Sequence, residues 1–270
     1  MNLTNPENIR HLTNQWIGPR DPNGRPLVED DILQRMEAVT TEEAWGVLKT
    51  HGYHHSFAAD WKILHPHKVL VGRAVTCRFV PSRVDLEESI NSLIETEGRI
   101  GGQNSWVIDE LVENDVIIVD LFGKVRDGTF AGDNLATAIM TNTGRGMVVD
   151  GGIRDTQGIM GFEQFNAFVK GYDPSAIADV TLSEINGITR IGEATCLPGD
   201  VVLGTITGVI FIPPHLAKEV VETSEEIRLR DEFGQIRISE GVYTPGEVDR
   251  PFSELMEKDF ANWKIKKSNS

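Results

Sequence analysis

The chain has 270 residues, of which 41 are Asp or Glu and 26 are Lys or Arg, a formal net charge of −15. With 40% hydrophobic and 25% charged residues, it has the composition of an ordinary globular protein with enough length for a substantial core. This balance excludes a general nucleic-acid or anionic-membrane binder, because no surplus of Lys and Arg exists to neutralise phosphates. A small acidic substrate is not excluded, since one Arg or a metal ion can reverse the potential inside a cleft. Residues 1–28 contain prolines and no clear period, and are expected to form an arm. They show no apolar stretch of the signal-peptide kind, and no run approaches the roughly 18 apolar residues of a membrane span, so a cytoplasmic protein is expected. Cys77 and Cys196 sit singly inside apolar runs and read as buried thiols of a reducing compartment.

A catalytic domain is expected over residues 29–232. Ile32, Leu33, Met36 and Val39 fall at helical spacing, and Thr41 with Glu42 and Glu43 reads as the N-cap of a second helix reaching Lys49. Val69–Pro81 is rich in β-branched residues and reads as a strand pair or one bent strand, with Gly72 as a kink. Leu86, Ile90, Leu93 and Ile94 mark an amphipathic helix over 85–97, and Val107–Leu111 a second short one. Val116–Leu121 and Met147–Asp150 are apolar runs of the kind buried on both faces of a sheet, with a helix opening at Gly132 between them. The second run is followed by a glycine-rich loop, Gly151-Gly152. Residues 176–212 are strand-rich, Leu216–Arg230 reads as a helix, and 233–270 as a peripheral appendage. Strands alternating with helices, then a strand-rich half, predict a mixed α/β architecture.

The densest chemical signal lies between Gly132 and Asp155, where two apolar strands each end in a loop bearing charges. Ligand sites of open α/β sheets favour the carboxyl ends of strands. Gly132-Asp133-Asn134-Leu135 opens a helix whose unpaired N–H groups suit a carboxylate or phosphate; equally, Asp133 or Asn134 can serve as a plain N-cap. Arg154-Asp155 can be a local ion pair on a turn, or can offer a guanidinium to a substrate oxygen and a carboxylate to a hard cation. Five of the seven histidines fall between His51 and His67 without fixed ligand spacing and read as solvated. No GxGxxG, GxxxxGK[ST] or GxSxG pattern occurs, so nucleotide-binding and serine-hydrolase readings find no support.

Taken together, Asp133, twenty intervening residues and then Arg154-Asp155 resemble the D-x20-R-D pattern of the RraA-like family. GDNLATA, MVVDGGIRD, LPGDVV and TGVIFIP resemble further stretches of the same family, and the resemblance runs from about residue 31 to 230. That family includes class II pyruvate aldolases acting on 4-hydroxy-4-methyl-2-oxoglutarate and 4-carboxy-4-hydroxy-2-oxoadipate, and a regulator of ribonuclease activity. The resemblance implies an α/β/β/α sandwich similar to the swivelling phosphohistidine-type domain, in a homotrimer or homohexamer. It also implies a divalent-metal-dependent lyase that releases pyruvate from a 4-hydroxy-2-oxo acid, and that also serves oxaloacetate decarboxylation. In that reading Gly132, Asp133, Asn134 and Leu135 bind the substrate carboxylate through their backbone. Arg154 binds a substrate oxygen, Asp133 and Arg154 are catalytic, and Asp155 holds Mg²⁺ or Mn²⁺. The alternatives are a sugar-acid lyase or hydratase on the same site, and a non-catalytic protein-binding regulator. Two departures stand out: Gly158 occupies a position where family aldolases often carry an acid, and Leu203-Gly204-Thr205-Ile206-Thr207 lacks the usual acidic residues.

Overall fold

Runs of β-branched residues extend into eleven strands among the described residues of the computed structural model. It covers residues 3–268, without the side chains of Ile94 and Ser268; Met1 and Asn2 of the expected arm, and residues 269–270 of the expected appendage, lie outside the described residues. The strands are β1 (Phe57–Ala58), β2 (Lys62–Ile63), β3 (Leu70–Pro81), β4 (Asp115–Ala131), β5 (Gly146–Ile153), β6 (Asn166–Tyr172), β7 (Val180–Ile185), β8 (Thr189–Ile191), β9 (Ala194–Cys196), β10 (Val201–Thr205) and β11 (Gly208–Ile212). Nine of them form one sheet in the order β1-β11-β10-β3-β4-β5-β6-β2, with β7 also paired to β3. The centre, β3-β4-β5-β6, is parallel and the flanks are antiparallel. β8 and β9 form a separate hairpin.

Side-chain alternation along the strands sets the layers. Val75, Cys77, Ile117, Val119, Met147 and Val149 pack on one face with Ile90, Trp106, Val107, Ala136 and Ile139, from helices Val84–Glu97, Gln103–Ile108 and Asp133–Thr143. The intervening residues Ala74, Val116, Ile118, Val148 and Phe168 meet Val202, Val209 and Phe211 from the other end of the same sheet. Ring atoms of Phe168 on β6 lie 2.8 Å from where a side chain on Gly204 of β10 would begin, although three strands separate β10 from β6. The sheet therefore curls over and faces itself, with Ile191, Ala194 and Cys196 of the β8–β9 hairpin in the interior. Outside β10 and β11, Val71, Val201, Leu203, Ile210 and Ile212 pack on helices Asp30–Met36 and Thr41–Thr50 and on Val220 and Val221. The layer order is helix, sheet, sheet, helix, within the mixed α/β class expected.

The chain forms two compact units, Met1–Val221 and Glu222–Ser270. In the second, Phe233 touches the rings of Tyr243, Phe252, Phe260 and Trp263, a small aromatic core. Both cysteines are buried free thiols, and burial pushes both well above the usual thiol range. Among the described residues no helix is long and apolar enough to cross a membrane.

Several local expectations shift. Thr40, not Thr41, caps the helix Thr41–Thr50, in a reciprocal capping box with Glu43. β3 is one strand that continues through Gly72. The second short helix is Gln103–Ile108, earlier than Val107–Leu111. Gly151 and Gly152 are not loop residues: they are buried inside β5. The reason is non-local. β4 bulges between Asp120 and Ala131, with Phe122 and Asp127 in the left-handed region. A side chain on Gly151 would begin 2.9 Å from the Lys124 carbonyl oxygen, and one on Gly152 would begin 2.8 Å from that of Val125. The glycines admit the chain's own bulged backbone.

The N-terminal segment contributes a short helix, Pro6–Leu12, and one deeply buried cation. Arg25 makes a two-pronged pair with Asp115 at the start of β4, at 2.8 and 2.9 Å, and its Nε donates to Asp21 at 3.0 Å. Both members of the Arg25–Asp115 pair are almost fully buried, so removing Arg25 leaves the Asp115 carboxylate only the longer Arg73 Nε contact at 3.8 Å and the Val112 N–H at 3.0 Å. Arg25→Leu is expected to lower stability by about 3–5 kcal/mol in urea unfolding, whereas Arg83→Ala, on a solvent-exposed pair with Asp85, is expected to leave the unfolding midpoint essentially unchanged.

Candidate active site

β4 and β5 run parallel and end level with each other, Ala131 opposite Ile153. The Arg154 N–H donates to the Ala131 carbonyl at 3.1 Å, so both strand-end loops leave the sheet at one edge. From that edge Gly132 caps the helix Asp133–Thr143 without any side-chain cap bond, so neither Asp133 nor Asn134 is the N-cap. The Asn134 N–H donates to Asp133 Oδ1 at 2.8 Å. The Asp133 and Leu135 N–H groups have no acceptor among the described residues and remain available at the positive end of the helix. The Leu135 side chain turns inward against the core.

Gly132 also explains how the second loop fits. A side chain there would begin 2.4 Å from Asp155 Oδ2 and 3.1 Å from Arg154 Nε, so the charged pair occupies the space the glycine leaves. Asp155 adopts the left-handed conformation (φ 54°), turning the chain from β5 into the short helix Thr156–Ile159. Its Oδ2 lies 3.3 Å from Arg154 Nε, and both side chains stay more than two-fifths exposed. Gly158 faces Asp133: a side chain on Gly158 would begin 3.3 Å from the Asp133 Cβ and 3.5 Å from its Oδ2. Thus the structure brings together Gly132, Asp133, Asn134, Leu135, Arg154 and Asp155, all the residues singled out in the sequence. The bare positions beside them are Gly132 and Gly158, not Gly151 and Gly152.

The donor set for a metal is small. Among the described residues no group of three or more His, Cys, Asp or Glu side chains converges as a metal cage. Asp155 offers an exposed carboxylate beside open solvent. This fits Mg²⁺, which commonly uses one or two carboxylates and fills its octahedron with water and substrate oxygens. It does not fit a metal that needs several protein ligands. Among the described residues the histidine-rich segment forms no converging ligand set either, and His51 Nε2 sits 2.8 Å from Glu219.

Two charges escaped the sequence reading because they sit inside apolar runs. Asp120 and Asp150 are buried and directly opposed on β4 and β5, below the loops. Burial raises the Asp150 pKa, with Lys170 and Arg190 opposing that shift and Asp120 adding to it. A charged residue in VIIVDL or MVVD was the available signal.

Comparison with known proteins identifies the family. Residues 31–211 match the RraA-like family, described as Aldolase/RraA. The chain belongs to the RraA-like family. A candidate 4-hydroxy-4-methyl-2-oxoglutarate aldolase of Halalkalibacterium halodurans is 29% identical over 144 residues, 52% of this chain and 68% of that protein. An uncharacterised protein of Methanocaldococcus jannaschii is 26% identical over 194 residues, 64% of this chain and 93% of the other. The match to protein DlpA of Legionella pneumophila, at 28% identity, spans 64% of this chain but only 26% of DlpA. Among solved structures, Streptomyces coelicolor RraAS2 superposes with a TM-score of 0.65 at 22% identity, covering 81% of this chain and all of that one. An uncharacterised Pseudomonas syringae protein gives 0.67 at 20% identity, covering 86% and 98%. At these identities the structural likeness is one of fold.

Gly132→Ala tests the geometry of this RraA-like site. Gly132 has φ −105°, which alanine tolerates, so the added methyl acts on Asp155 and Arg154 and not on the backbone. The expected result is a melting temperature within a few degrees of the parent, with Asp155 displaced in a crystal structure. An undisplaced Asp155 would contradict the close packing.

Proposed function

We propose that the chain is a divalent-metal-dependent carbon–carbon lyase that cleaves a 4-hydroxy-2-oxo acid and releases pyruvate, with oxaloacetate decarboxylation on the same site. The observation that carries this reading is the packing of Arg154 and Asp155 into the space left by Gly132, beside a helix start with open N–H groups. Membership of a family that includes aldolases supports it. A trimeric or hexameric assembly, and the likeness to a swivelling phosphohistidine-type domain, belong to the same reading.

The substrate carboxylate would accept from the Asp133 and Leu135 N–H groups, where the helix dipole favours negative charge. Arg154 would donate to the C2 oxygen, a permanent cation where negative charge develops. Asp133 Oδ2, on the side facing Gly158, would hold the water that accepts the C4 hydroxyl proton. As that proton leaves, the C4 oxygen becomes a carbonyl oxygen and the C3–C4 bond breaks. Its electron pair moves into C2–C3 and onto the C2 oxygen, giving the enolate of pyruvate, and a proton added at C3 completes pyruvate. Asp155 would hold Mg²⁺ or Mn²⁺, which when bound supplies further electrostatic stabilisation of the enolate oxygen. Gly158 stands where family aldolases often carry an acid, and it packs closely against Asp133. That missing acid is the feature favouring the second reading, a sugar-acid lyase or hydratase on the same residues.

The test is pyruvate release from 4-hydroxy-4-methyl-2-oxoglutarate and from oxaloacetate, with Mg²⁺ and with a chelator. Metal-dependent release is expected, with kcat/KM lowered about a hundredfold or more in Arg154→Ala and in Asp155→Ala. Turnover of a sugar acid without pyruvate release from either acid would favour the second reading. Full activity in both variants would overturn the site.

A further inference from the structure

The first unit contains a second concave site that shares no residue with the one above. It is a cavity of about 200 Å³ whose lining includes Leu12, Trp16, Tyr53, Ser56, Asp200 and His215. The Ala74 N–H donates to the Asp200 carbonyl at 2.8 Å, and Ala74 lies opposite Val116 at the start of β4, whereas Gly132 follows the end of that strand.

Three polar features of the cavity are incompletely used. The buried Asp200 carboxyl accepts from the Leu197 N–H at 2.8 Å, and no Lys or Arg lies within ion-pairing distance among the described residues. Ser56 Oγ is buried without a hydrogen-bond partner among the described residues. The Tyr53 hydroxyl reaches only long contacts, 3.4 Å to His215 Nε2 and 3.5 Å to Gln15 Oε1. The walls otherwise include the apolar surfaces of Trp16, Phe211, Pro213 and Pro214. A buried carboxyl without a cation must either hold a proton or meet one. Burial pushes the Asp200 pKa up to about 7, the behaviour of an acid awaiting a counter-charge. Anions are disfavoured by Asp200 and by the net charge of −15, which also enriches small cations near the surface.

We propose that this cavity binds a small organic ammonium ion, its charge against Asp200, its remaining N–H groups toward Ser56 and Tyr53, and its carbon skeleton against Trp16 and the prolines. A dry cavity of about 150 Å³ can hold a benzene-sized molecule, so this one suits a ligand of about seven heavy atoms. Aromatic faces beside the charge favour the same class. The other titratable side chains near the Asp200 carboxyl are Tyr53 and His55 before β1, Cys196 on β9 and His215 after β11; Leu12–Trp16 brings none, and Arg25, beside the Pro26 that packs on Gly199, is paired with Asp21 and Asp115 and also donates to the Ala74 carbonyl.

The test is isothermal titration of the full chain with cyclohexylammonium and with cyclohexanol, its neutral counterpart of similar size. Saturable binding of the amine is expected at about pH 8.5, weakened about tenfold or more at about pH 5.5 and in Asp200→Asn, with no saturation by the alcohol. Asn retains the acceptor for the Leu197 N–H, and the comparison of amine with alcohol on the parent protein stands even if that variant fails to fold. Equal binding of the alcohol, unchanged amine binding in folded Asp200→Asn, or no saturable heat up to about 10 mM amine would overturn the proposal.

Discussion

The candidate active site depends on one close approach: the end of β5 against the start of the helix that follows β4, across a residue with no side chain. Parallel pairing of β4 and β5 sets Ala131 level with Ile153, and the Arg154 N–H to Ala131 carbonyl bond fixes the register at the edge. Gly132 then leaves the volume into which Asp155 and Arg154 fold. Without these two conditions, the twenty residues between Asp133 and Arg154 would be only a spacing. With them, an open helix start, a guanidinium and an exposed carboxylate share one small region.

The scaffold leaves that edge accessible. The central parallel strands are covered on one face by helices and on the other by the curled-over half of their own sheet, so their ends are the places where polar groups can gather. The bulged part of β4 packs over Gly151 and Gly152, carrying the backbone below the loops. Both members of the Arg154–Asp155 pair at the site are well exposed. Such a surface suits a ligand whose own oxygens complete the arrangement, the behaviour expected for a metal held mainly by water and substrate.

Local physics made much of this legible in advance. VIIVDL and MVVD announced buried strands because apolar continuity needs no distant information, and the helix of 85–97 showed in its 3.6-residue period. The convergence of Asp133 with Arg154-Asp155 was visible only through a family pattern, since nothing local specifies how two loops meet. What escaped depended on distant partners. Gly151-Gly152 looked like a loop because the bulge that requires them lies about twenty-five residues earlier in the chain. The first residues looked like a loose arm because Arg25 finds Asp115 ninety positions away. Asp120 and Asp150 were hidden by the hydrophobic runs that bury them.

The central claim is that Gly132, the helix start, Arg154 and Asp155 together recognise the enolate of a 2-oxo acid. Oxalate, a planar dianion that resembles the enolate of pyruvate, is the most direct probe, because a site complementary to the transition state binds such an analogue tightly. The decisive measurement is calorimetric titration of oxalate into the protein with and without Mg²⁺. The account predicts Mg²⁺-dependent saturable binding that is lost in Asp155→Ala and weakened about tenfold or more in Arg154→Ala and Gly132→Ala. Absence of binding to the folded parent protein, or equal binding in all three variants, would contradict it.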